Sequence, residues 1–323
     1  MDITYYIKAF AKLRVDRTHG IAPHKPILLL SILQAYQNNL IPDKRIYITP
    51  ELVGLFKSNW SILVTSDHNC RISYPFYYLK TSKFWKLIPK QGFENIDKMG
   101  SIMSSFTSLK AAVDYALIDA DLFNLMKVQD TNILLQQVLL DTYFPATKTN
   151  FTNSTTIQKE LFENIENKIL REDAAEYKKE IEQLLKNDDE EEIFLRGSLF
   201  KREIPKIYNS TCCISGMRID STISISMIDA CHIVPFSESH DDTITNGIAL
   251  CPNLHRAFDR GLIAVSDEYR VIISKAFKED ESNYGIKKFE NLQIRLPKDQ
   301  RYYPLLKNFE SHRVKFDTIL SGK

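Results

Sequence analysis

One segment near the C-terminal end constrains the fold most, because it sets three polar side chains in a fixed order along a strand, a loop and a helix. The run TISISMIDACHIVPF alternates apolar and polar residues through Ile223, Ile225 and Met227. This alternation is typical of a half-buried strand. The predicted strand carries His232 near its end, and a polar loop follows it.

The loop leads into a short predicted helix that begins near Pro252 and ends near Gly261. Proline is favoured in the first helical turn and glycine just after the last one, so both residues mark helix ends. On this helix His255 and Asp259 are four residues apart and share a face. The following run LIAVSDEYRVIIS predicts a hairpin that turns at Asp267–Glu268.

The segment offers the side chains that metal-assisted phosphodiester hydrolysis requires. A neutral imidazole, with an ordinary pKa of about 6.5, suits a general base that takes a proton from water. A divalent cation can hold a phosphate and stabilise the leaving oxygen. A third group can orient the base by bonding its other ring nitrogen. His232, Asn246 and a ligand set around His255 can supply these roles in turn.

The runs DACHIVPF and TNGIALCPNLHRAFDRG resemble the HNH nuclease signature, in the form found in McrA-like restriction enzymes. The resemblance extends over about residues 212–274 and implies a ββα-metal fold that cuts DNA phosphodiesters. It implies that His232 is the general base and that His255 is the metal ligand on the helix. It also implies that Asn246 orients His232 or shapes its loop.

The carboxylate that completes the metal site is left open by the sequence. Many HNH proteins have an aspartate directly before the first histidine, whereas this chain has Cys231. Asp229 lies on the same predicted strand face as Cys231 and is one candidate, and Asp259 on the helix is the other. We expect Mg²⁺ or Mn²⁺ as the cofactor, although histidine ligation would also accept Ni²⁺, Co²⁺ or Zn²⁺.

The five cysteines are odd in number and scattered, which argues against a disulfide framework. Some HNH domains hold a structural zinc ion with two CxxC pairs, but here Gly216 and Leu254 stand where the second members would be. A zinc ion held by several separate cysteines is the alternative. The favoured interpretation is that these residues pack as small apolar side chains: Cys212, Cys213, Cys231 and Cys251.

The N-terminal part of the chain predicts a mainly helical domain. Apolar side chains at helical spacing mark a first helix over residues 4–14, with Tyr6, Phe10 and Leu13 on one face. A second helix from Pro26 to about Tyr36 is too apolar for a surface position. Lys and Arg total 42 against 41 Asp and Glu, yet basic side chains concentrate at the front of this domain: Lys8, Lys12, Arg14, Arg17, His19, His24 and Lys25. Such a patch attracts phosphates.

Two strings, LRVDRTHGIAPHKPILLL and RISYPFYYLKTSKFW, together resemble the sulfur-binding domain of phosphorothioation-dependent McrA-like restriction enzymes. In that family these loops border the site that grips a backbone sulfur. Carried over by position, the resemblance implies His24, Lys25, Tyr74 and Pro75 as binding residues. The alternative interpretation of Tyr74–Tyr78 is an aromatic core strand in which Phe76 and Leu79 point inward.

A non-bridging sulfur is larger and accepts hydrogen bonds more weakly than a phosphate oxygen. An apolar rim therefore removes more hydration energy from an ordinary phosphate than from a phosphorothioate. Tyr74 and Pro75 could form that rim, while Lys25, Arg71 and Arg17 would hold flanking phosphates. His24 could donate a hydrogen bond to the same phosphate group or to the edge of a base.

We therefore predict an α+β chain with a DNA-binding domain at 1–150, a charged helical linker at 151–192 and a nuclease domain at 193–323. Within the linker, apolar residues at helical spacing predict one helix over residues 157–185. This helix is expected to be a solvated spacer, with a dimerising helix as the alternative.

The expected function is phage defence by a restriction endonuclease that binds phosphorothioated double-stranded DNA and cuts nearby. Duplex cutting needs two strand scissions, so a homodimer is expected. No membrane span or signal peptide is recognised, and a cytoplasmic location is expected. One alternative is an HNH nuclease whose first domain reads another modification or unmodified DNA. The other is a DNA-binding module with an inactive nuclease domain.

Overall fold

The computed structural model describes residues 2–18, 20–96, 99, 105–219, 226–280 and 282–321. Two compact units divide the chain, one formed by residues 1–164 and 188–195, the other by residues 165–187 and 196–323. These limits differ from the predicted ones near residues 150 and 193, because 165–187 belongs to the second unit and 188–195 to the first. Residues 151–192 are thus shared between the units.

The first unit is mainly helical, as predicted, with a small antiparallel sheet in which the strand order is β1-β3-β2. Its strands are β1 (Arg45–Ile46), β2 (Trp85–Pro89) and β3 (Val113–Ile118). Its helices are α1 (Ile3–Ala11), α2 (His24–Gln37), α3 (Pro50–Leu63), α4 (Ser73–Tyr78), α5 (Phe106–Ala112), α6 (Ala120–Lys127) and α7 (Gln129–Tyr143). Short 3-10 turns follow at Leu79–Thr81 and Lys148–Asn153.

Helix α2 is the centre of this core, as its apolar sequence predicts. Every residue from Lys25 to Tyr36 is buried, and the helix packs against α3, α4 and α7. Helix α1 begins after Asp2, whose side chain accepts a hydrogen bond from the Tyr5 N–H, and it buries Tyr6 and Phe10 as predicted.

The aromatic segment after Arg71 is helical, so the alternative prediction of a core strand there is wrong. Helix α4 begins at Ser73, and Pro75 occupies its first turn, where a missing N–H costs no hydrogen bond. Phe76 and Leu79 are fully buried, three residues apart, which confirms that both side chains point inward. A spacing of three places both on one helical face.

The predicted single helix over residues 157–185 is wrong as well, because two helices occupy this region. They are α8 (Ser154–Arg171) and α9 (Ala174–Lys186), and α10 (Glu190–Ile207) follows. Asp173 is the N-cap of α9, since its side chain accepts a hydrogen bond from the Ala175 N–H. In the second unit their apolar stripe is buried and not solvated, at Ile165, Ile169, Tyr177 and Ile181.

The remainder of the second unit is built on two small antiparallel sheets. Its strands are β4 (Asp229–His232), β5 (Gly247–Leu250), β6 (Ile263–Val265) and β7 (Val271–Ile273). Its helices are α11 (Phe236–Ser239), α12 (Pro252–Asp259) and α13 (Leu306–Ser321), with 3-10 turns at Ile244–Asn246, Lys287–Phe289 and Gln300–Tyr302. Strands β4 and β5 followed by α12 form the predicted ββα arrangement, and the α+β prediction is confirmed.

Local details of the second unit also follow the sequence. Pro252 occupies the first turn of α12, and the hairpin of β6 and β7 turns through Asp267 as predicted. Gly247, paired with His232, has no space for a side chain, because an added Cβ would lie 2.2 Å from the Ile204 side chain. The predicted strand residues Ile223 and Ile225, and His19 of the first unit, lie outside the described residues. None of the described helices is long and apolar enough to cross a membrane.

Candidate functional site

His232 is held in place from two sides at the end of β4. Its ring stacks on Phe200, with the ring centroids 4.0 Å apart and the planes 10° from parallel. Its Nε2 lies 2.8 Å from Oδ1 of Asp242, a residue that is only 1% exposed. A carboxylate accepts, so Nε2 carries the proton in this bond, and Nδ1 is the nitrogen left for a ligand. His232 itself remains 21% exposed at the edge of a cavity.

Asp242 is the site residue that the sequence interpretation missed. It belongs to the polar loop between His232 and Asn246, where the sequence does not indicate which of two adjacent aspartates would contact His232. In the folded loop Asp241 accepts a hydrogen bond from the Thr243 N–H, while Asp242 turns toward His232. The signal available in the sequence was an acidic pair within a loop that joins two site residues.

Asn246 contacts the loop backbone and not the His232 ring. The side chain is fully buried, and its Nδ2 donates to the carbonyls of Val234 and Asp241, each at 2.9 Å. Its Oδ1 accepts from the Val234 N–H at 3.0 Å. Of the two roles implied for Asn246, these contacts correspond to shaping the loop that carries Asp242.

We expect the Asn246→Ala variant to lose at least about 2 kcal/mol of unfolding free energy, because several buried backbone groups lose their partner at once. Urea denaturation of the purified protein measures this loss. Asn308→Ala is the matched control, since Asn308 is also buried but its side-chain amide makes one hydrogen bond within the described part of the chain, to the Thr245 carbonyl. Equal stabilities for the two variants would contradict a loop-shaping role for Asn246.

Four potential metal ligands meet where β4 faces α12. The Nδ1 atom of His255 lies 3.2 Å from Oδ2 of Asp229, and its Nε2 lies 3.5 Å from Oδ2 of Asp259. The Cys231 Sγ lies 3.9 Å from Oδ1 of Asp259. Ligand atoms of Cys231, His255 and Asp259 all lie within 4.8 Å of one another. Both carboxylates proposed from the sequence therefore adjoin His255, together with a thiol that was not among the proposed ligands.

His232, His255 and Asp259 open onto one cavity of about 260 Å³. His312 also lines it, but this ring stacks on Phe258 with centroids 3.8 Å apart and bonds the Phe258 carbonyl. Burial lowers the pKa of His312 to about 4, so the ring is neutral near pH 7. Lys315 brings a cation to the same cavity.

The cysteines of this unit are buried, consistent with packing as small apolar side chains. Cys251 is the N-cap residue of α12, and its Sγ lies 3.9 Å from the hydroxyl of Ser215. Ser215 also donates its backbone N–H to the Cys212 Sγ. Ser215 thus contacts the thiols of both Cys212 and Cys251.

A second cavity, of about 730 Å³, lies in the first unit and brings together four of the six binding residues proposed there. These are His24, Lys25, Tyr74 and Pro75. Arg71 and Arg17 are not among the lining residues: Arg71 pairs with Asp188 at 2.5 Å. The other lining residues include three basic or imidazole side chains that were not proposed as ligands, Arg14, His68 and Lys80.

His24 lines this cavity, and its neighbours hold the ring in place. Its Nε2 lies 2.9 Å from the Asn69 carbonyl, and its ring packs against Trp60 and His68, with centroids 4.8 and 5.7 Å away. Burial lowers the pKa of His24 to about 4, so the ring is neutral near pH 7. A neutral ring that donates from Nε2 accepts at Nδ1. The expectation that His24 donates to a phosphate group or to a base edge stays a prediction, and in this tautomer Nδ1 would accept a hydrogen bond.

Lys25 is tied into the cavity wall. Its ammonium donates to the Arg14 carbonyl at 2.7 Å and to the Thr81 hydroxyl at 3.2 Å, and the residue is 8% exposed. Burial, with a smaller contribution from the charge of Arg14, lowers the pKa of Lys25 to about 8. Lys25 thus supplies a poorly hydrated positive charge at the cavity.

Comparison with known proteins identifies part of the chain. Residues 212–266 match the family model of an HNH endonuclease domain, HNH_2, so the C-terminal region carries an HNH endonuclease domain. This match supports nuclease activity and DNA binding. No curated protein matches the chain. Among solved structures, one described as a modification dependent TagI restriction endonuclease matches with 21% identity and a TM-score of 0.28. That match covers 37% of this chain and 38% of the other.

Proposed function

We propose that the protein is a modification-dependent restriction endonuclease. The first unit binds phosphorothioated duplex DNA, and the HNH domain hydrolyses a phosphodiester bond nearby with a divalent metal. The observation that carries the nuclease proposal is the pairing of His232 with the buried Asp242 beside the Cys231, His255 and Asp259 cluster. A general base and a set of metal ligands thus adjoin one cavity within the matched HNH region.

In this mechanism His232 removes a proton from the attacking water through Nδ1. Asp242 accepts the bond from Nε2, keeps the ring in that tautomer and stabilises the positive charge that forms. Stacking on Phe200 holds the ring plane. Asn246 acts indirectly, because it holds the loop that carries Asp242.

The donor set beside His232 suits a divalent cation, because it combines imidazole, carboxylate and thiol groups around one point. His255 and Asp259 would hold the ion, and Asp229 bonds the other nitrogen of His255. A bound cation would polarise the scissile phosphate and stabilise the leaving oxygen. Mg²⁺ or Mn²⁺ is the cofactor proposed from the sequence, with Ni²⁺, Co²⁺ and Zn²⁺ as further candidates.

For the first unit, we propose that the 730 Å³ cavity receives the modified backbone group. Tyr74 and Pro75 supply an apolar rim that disfavours a hydrated phosphate oxygen more than a sulfur. Lys25, Arg14 and Lys80 supply positive charge around it, against one carboxylate at Asp16, and this balance favours an anionic group. Arg71 and Arg17 do not line the cavity, and we assign them to DNA contacts outside it.

A second candidate is recognition of a modified base. The cavity volume falls within the range typical of sites that enclose a small molecule, about 300–1,000 Å³. The acceptor at Nδ1 of His24 suits the amino group of a base better than it suits a phosphate. Binding to duplexes of one sequence that differ only in the modification separates the two candidates.

Affinity for DNA is expected to fall as the pH rises through about 8. Burial lowers the pKa of Lys25 to about 8, and a bound phosphate stabilises its charged form. Above that pH binding must therefore take up a proton, which weakens it. Fluorescence anisotropy of a labelled duplex at constant ionic strength measures the affinity. Lys25→Gln should abolish the pH dependence of the affinity. The control Lys86→Gln changes an exposed lysine on β2 and should keep it. A pH dependence that is unchanged in Lys25→Gln would contradict the assignment of this titration to Lys25.

Cleavage of paired plasmids, one phosphorothioated and one not, tests the whole proposal in the presence of Mn²⁺. Cutting confined to the sulfur-bearing plasmid is expected. It should be lost in Tyr74→Ala and kept in Tyr47→Ala, because Tyr47 is a 40% exposed tyrosine of the same unit that does not line the cavity. Equal cutting of both plasmids would remove the sulfur proposal and keep the nuclease. Tight binding without cutting would favour a DNA-binding module.

Duplex cutting requires two strand scissions, and each copy of the chain has one proposed HNH site. We therefore propose a homodimer on DNA. Light scattering of the protein with and without a modified duplex measures the stoichiometry, and a single copy per duplex that still breaks both strands would contradict it.

A further inference from the structure

We infer that Cys231 is a metal ligand, so that the nuclease centre is a Cys–His–Asp site that binds Zn²⁺ or Co²⁺ in preference to Mg²⁺. This inference deepens the proposed nuclease function and names the class of ion at the same centre. It assigns His255 and Asp259 as the other protein ligands and Asp229 as a positioning residue.

Asp259 lies close enough to both Cys231 and His255 to share an ion with either residue. Two ligands that bind the same ion at about 2.0–2.3 Å can lie no more than about 4.6 Å apart. The Cys231 Sγ lies 3.9 Å from Asp259 Oδ1, and the His255 Nε2 lies 3.5 Å from Asp259 Oδ2. Asp259 is thus within this limit of both partners, although through different oxygens, and one ligand atom from each of the three residues lies within 4.8 Å of the others.

The roles of the two carboxylates follow from the two nitrogens of His255. Nε2 faces Asp259, whereas Nδ1 lies 3.2 Å from Asp229. A metal-binding imidazole commonly donates its other N–H to a carboxylate, which fixes the ring and raises its basicity. Asp229 is placed for this role, and Asp259 for direct ligation.

Solvent exposure of the three side chains rises from Cys231 through His255 to Asp259. Cys231 is fully buried on β4, the His255 side chain is 26% exposed, and the Asp259 side chain is 57% exposed. An ion bound here would therefore have the sulfur on its protein side. Its free coordination position would face the cavity that His232 also lines. Catalytic metal sites need such an open position for water or substrate.

The chemistry of the thiol decides the class of ion. Thiolate is a soft ligand that favours Zn²⁺ and related ions, whereas Mg²⁺ prefers an octahedral set of oxygen ligands and retains its waters. In this site a sulfur and an imidazole take two positions that Mg²⁺ would fill with oxygen, and Asp259 is the one carboxylate among the three ligands. The ion preference then comes from Cys231, at the position before the general base.

Absorption spectroscopy during Co²⁺ titration tests the inference without relying on cleavage. The parent protein should develop a near-ultraviolet thiolate-to-cobalt charge-transfer band, and excess Mg²⁺ should not displace it. Cys231→Ser and Cys231→Asp should lack the band. The matched control is Cys251→Ser, because Cys251 is the N-cap of α12, a position where serine is favoured. This control should retain the band.

Asp229→Asn should keep the band but weaken Co²⁺ binding by about 10- to 100-fold, as expected for a residue that orients a ligand. X-ray absorption of the Co²⁺ form of the parent should show one sulfur scatterer at about 2.3 Å. This measurement needs no variant, so it decides the matter even if Cys231→Ser fails to fold.

A parent protein without the band, a band that persists in Cys231→Ser, or one lost in Cys251→Ser would each overturn the inference. Plasmid cleavage, measured separately, distinguishes this failure from failure of the proposed function. Cleavage with Mg²⁺ and no cobalt–sulfur band would overturn the ligand assignment and leave the nuclease standing. A band with no cleavage under any metal would support the ligand assignment and contradict the nuclease.

Discussion

Replacing His232 with alanine is expected to lower the rate of DNA cleavage by about 10²- to 10⁴-fold, the range typical for loss of a general base. The reason is geometric: His232 is the imidazole that has one nitrogen held by Asp242 while its ring borders the cavity shared with His255 and Asp259. Nicking of a supercoiled plasmid under single-turnover conditions measures the rate. Metal binding should persist, since His232 is not in the Cys231, His255 and Asp259 group.

The control for this experiment is a second histidine of the same loop. His240 caps the short helix α11 in a left-handed conformation, with φ 51°. Asparagine tolerates that conformation, so His240→Asn removes an imidazole without straining the backbone. It should cleave at the parent rate. A His232→Ala protein that also cleaves at the parent rate would show that another group activates the water.

The helix that carries His255 could be predicted from the sequence, because Pro252 and Gly261 marked its ends. The alternation that predicted a strand lies before β4, where Met227 is 43% exposed and the preceding alternating residues are outside the described part of the chain. The partner of His232 could not be predicted in this way. Asp242 reaches it only because the buried Asn246 closes the intervening loop, and this closure depends on contacts that are not periodic in the sequence.

The helices of both units also differ in how far their structure depends on local sequence or on residues distant along the chain. Helix α2 was predictable, because a helix that is apolar on every side must lie in a core. The break between α8 and α9 was also signalled, since Asp173 and Glu176 have the spacing of a capping box, but the longer apolar stripe suggested one helix. Arg71 could not be placed, because its partner Asp188 is 117 residues away along the chain.

Asp242→Asn is expected to lower the cleavage rate by about 10²-fold or more while leaving the fold and the metal affinity unchanged. Asp242 is almost fully buried, and its carboxylate is the acceptor for the Nε2–H of His232. An asparagine can present an N–H at that position, which favours the opposite ring tautomer and leaves Nδ1 protonated. It also removes the negative charge that stabilises the imidazolium formed when water is deprotonated.

The matched control is Asp241→Asn, which makes the same charge change at the adjacent buried residue. Asp241 accepts from the Thr243 N–H, and asparagine can retain that bond, so a loss of less than about tenfold is expected. Nitrogen-15 NMR of labelled histidine adds a readout that a structural defect alone would not produce: the His232 tautomer should change in Asp242→Asn only. Equal rates for the two variants, or an unchanged tautomer in Asp242→Asn, would show that the His232 ring is oriented by its stacking on Phe200 instead.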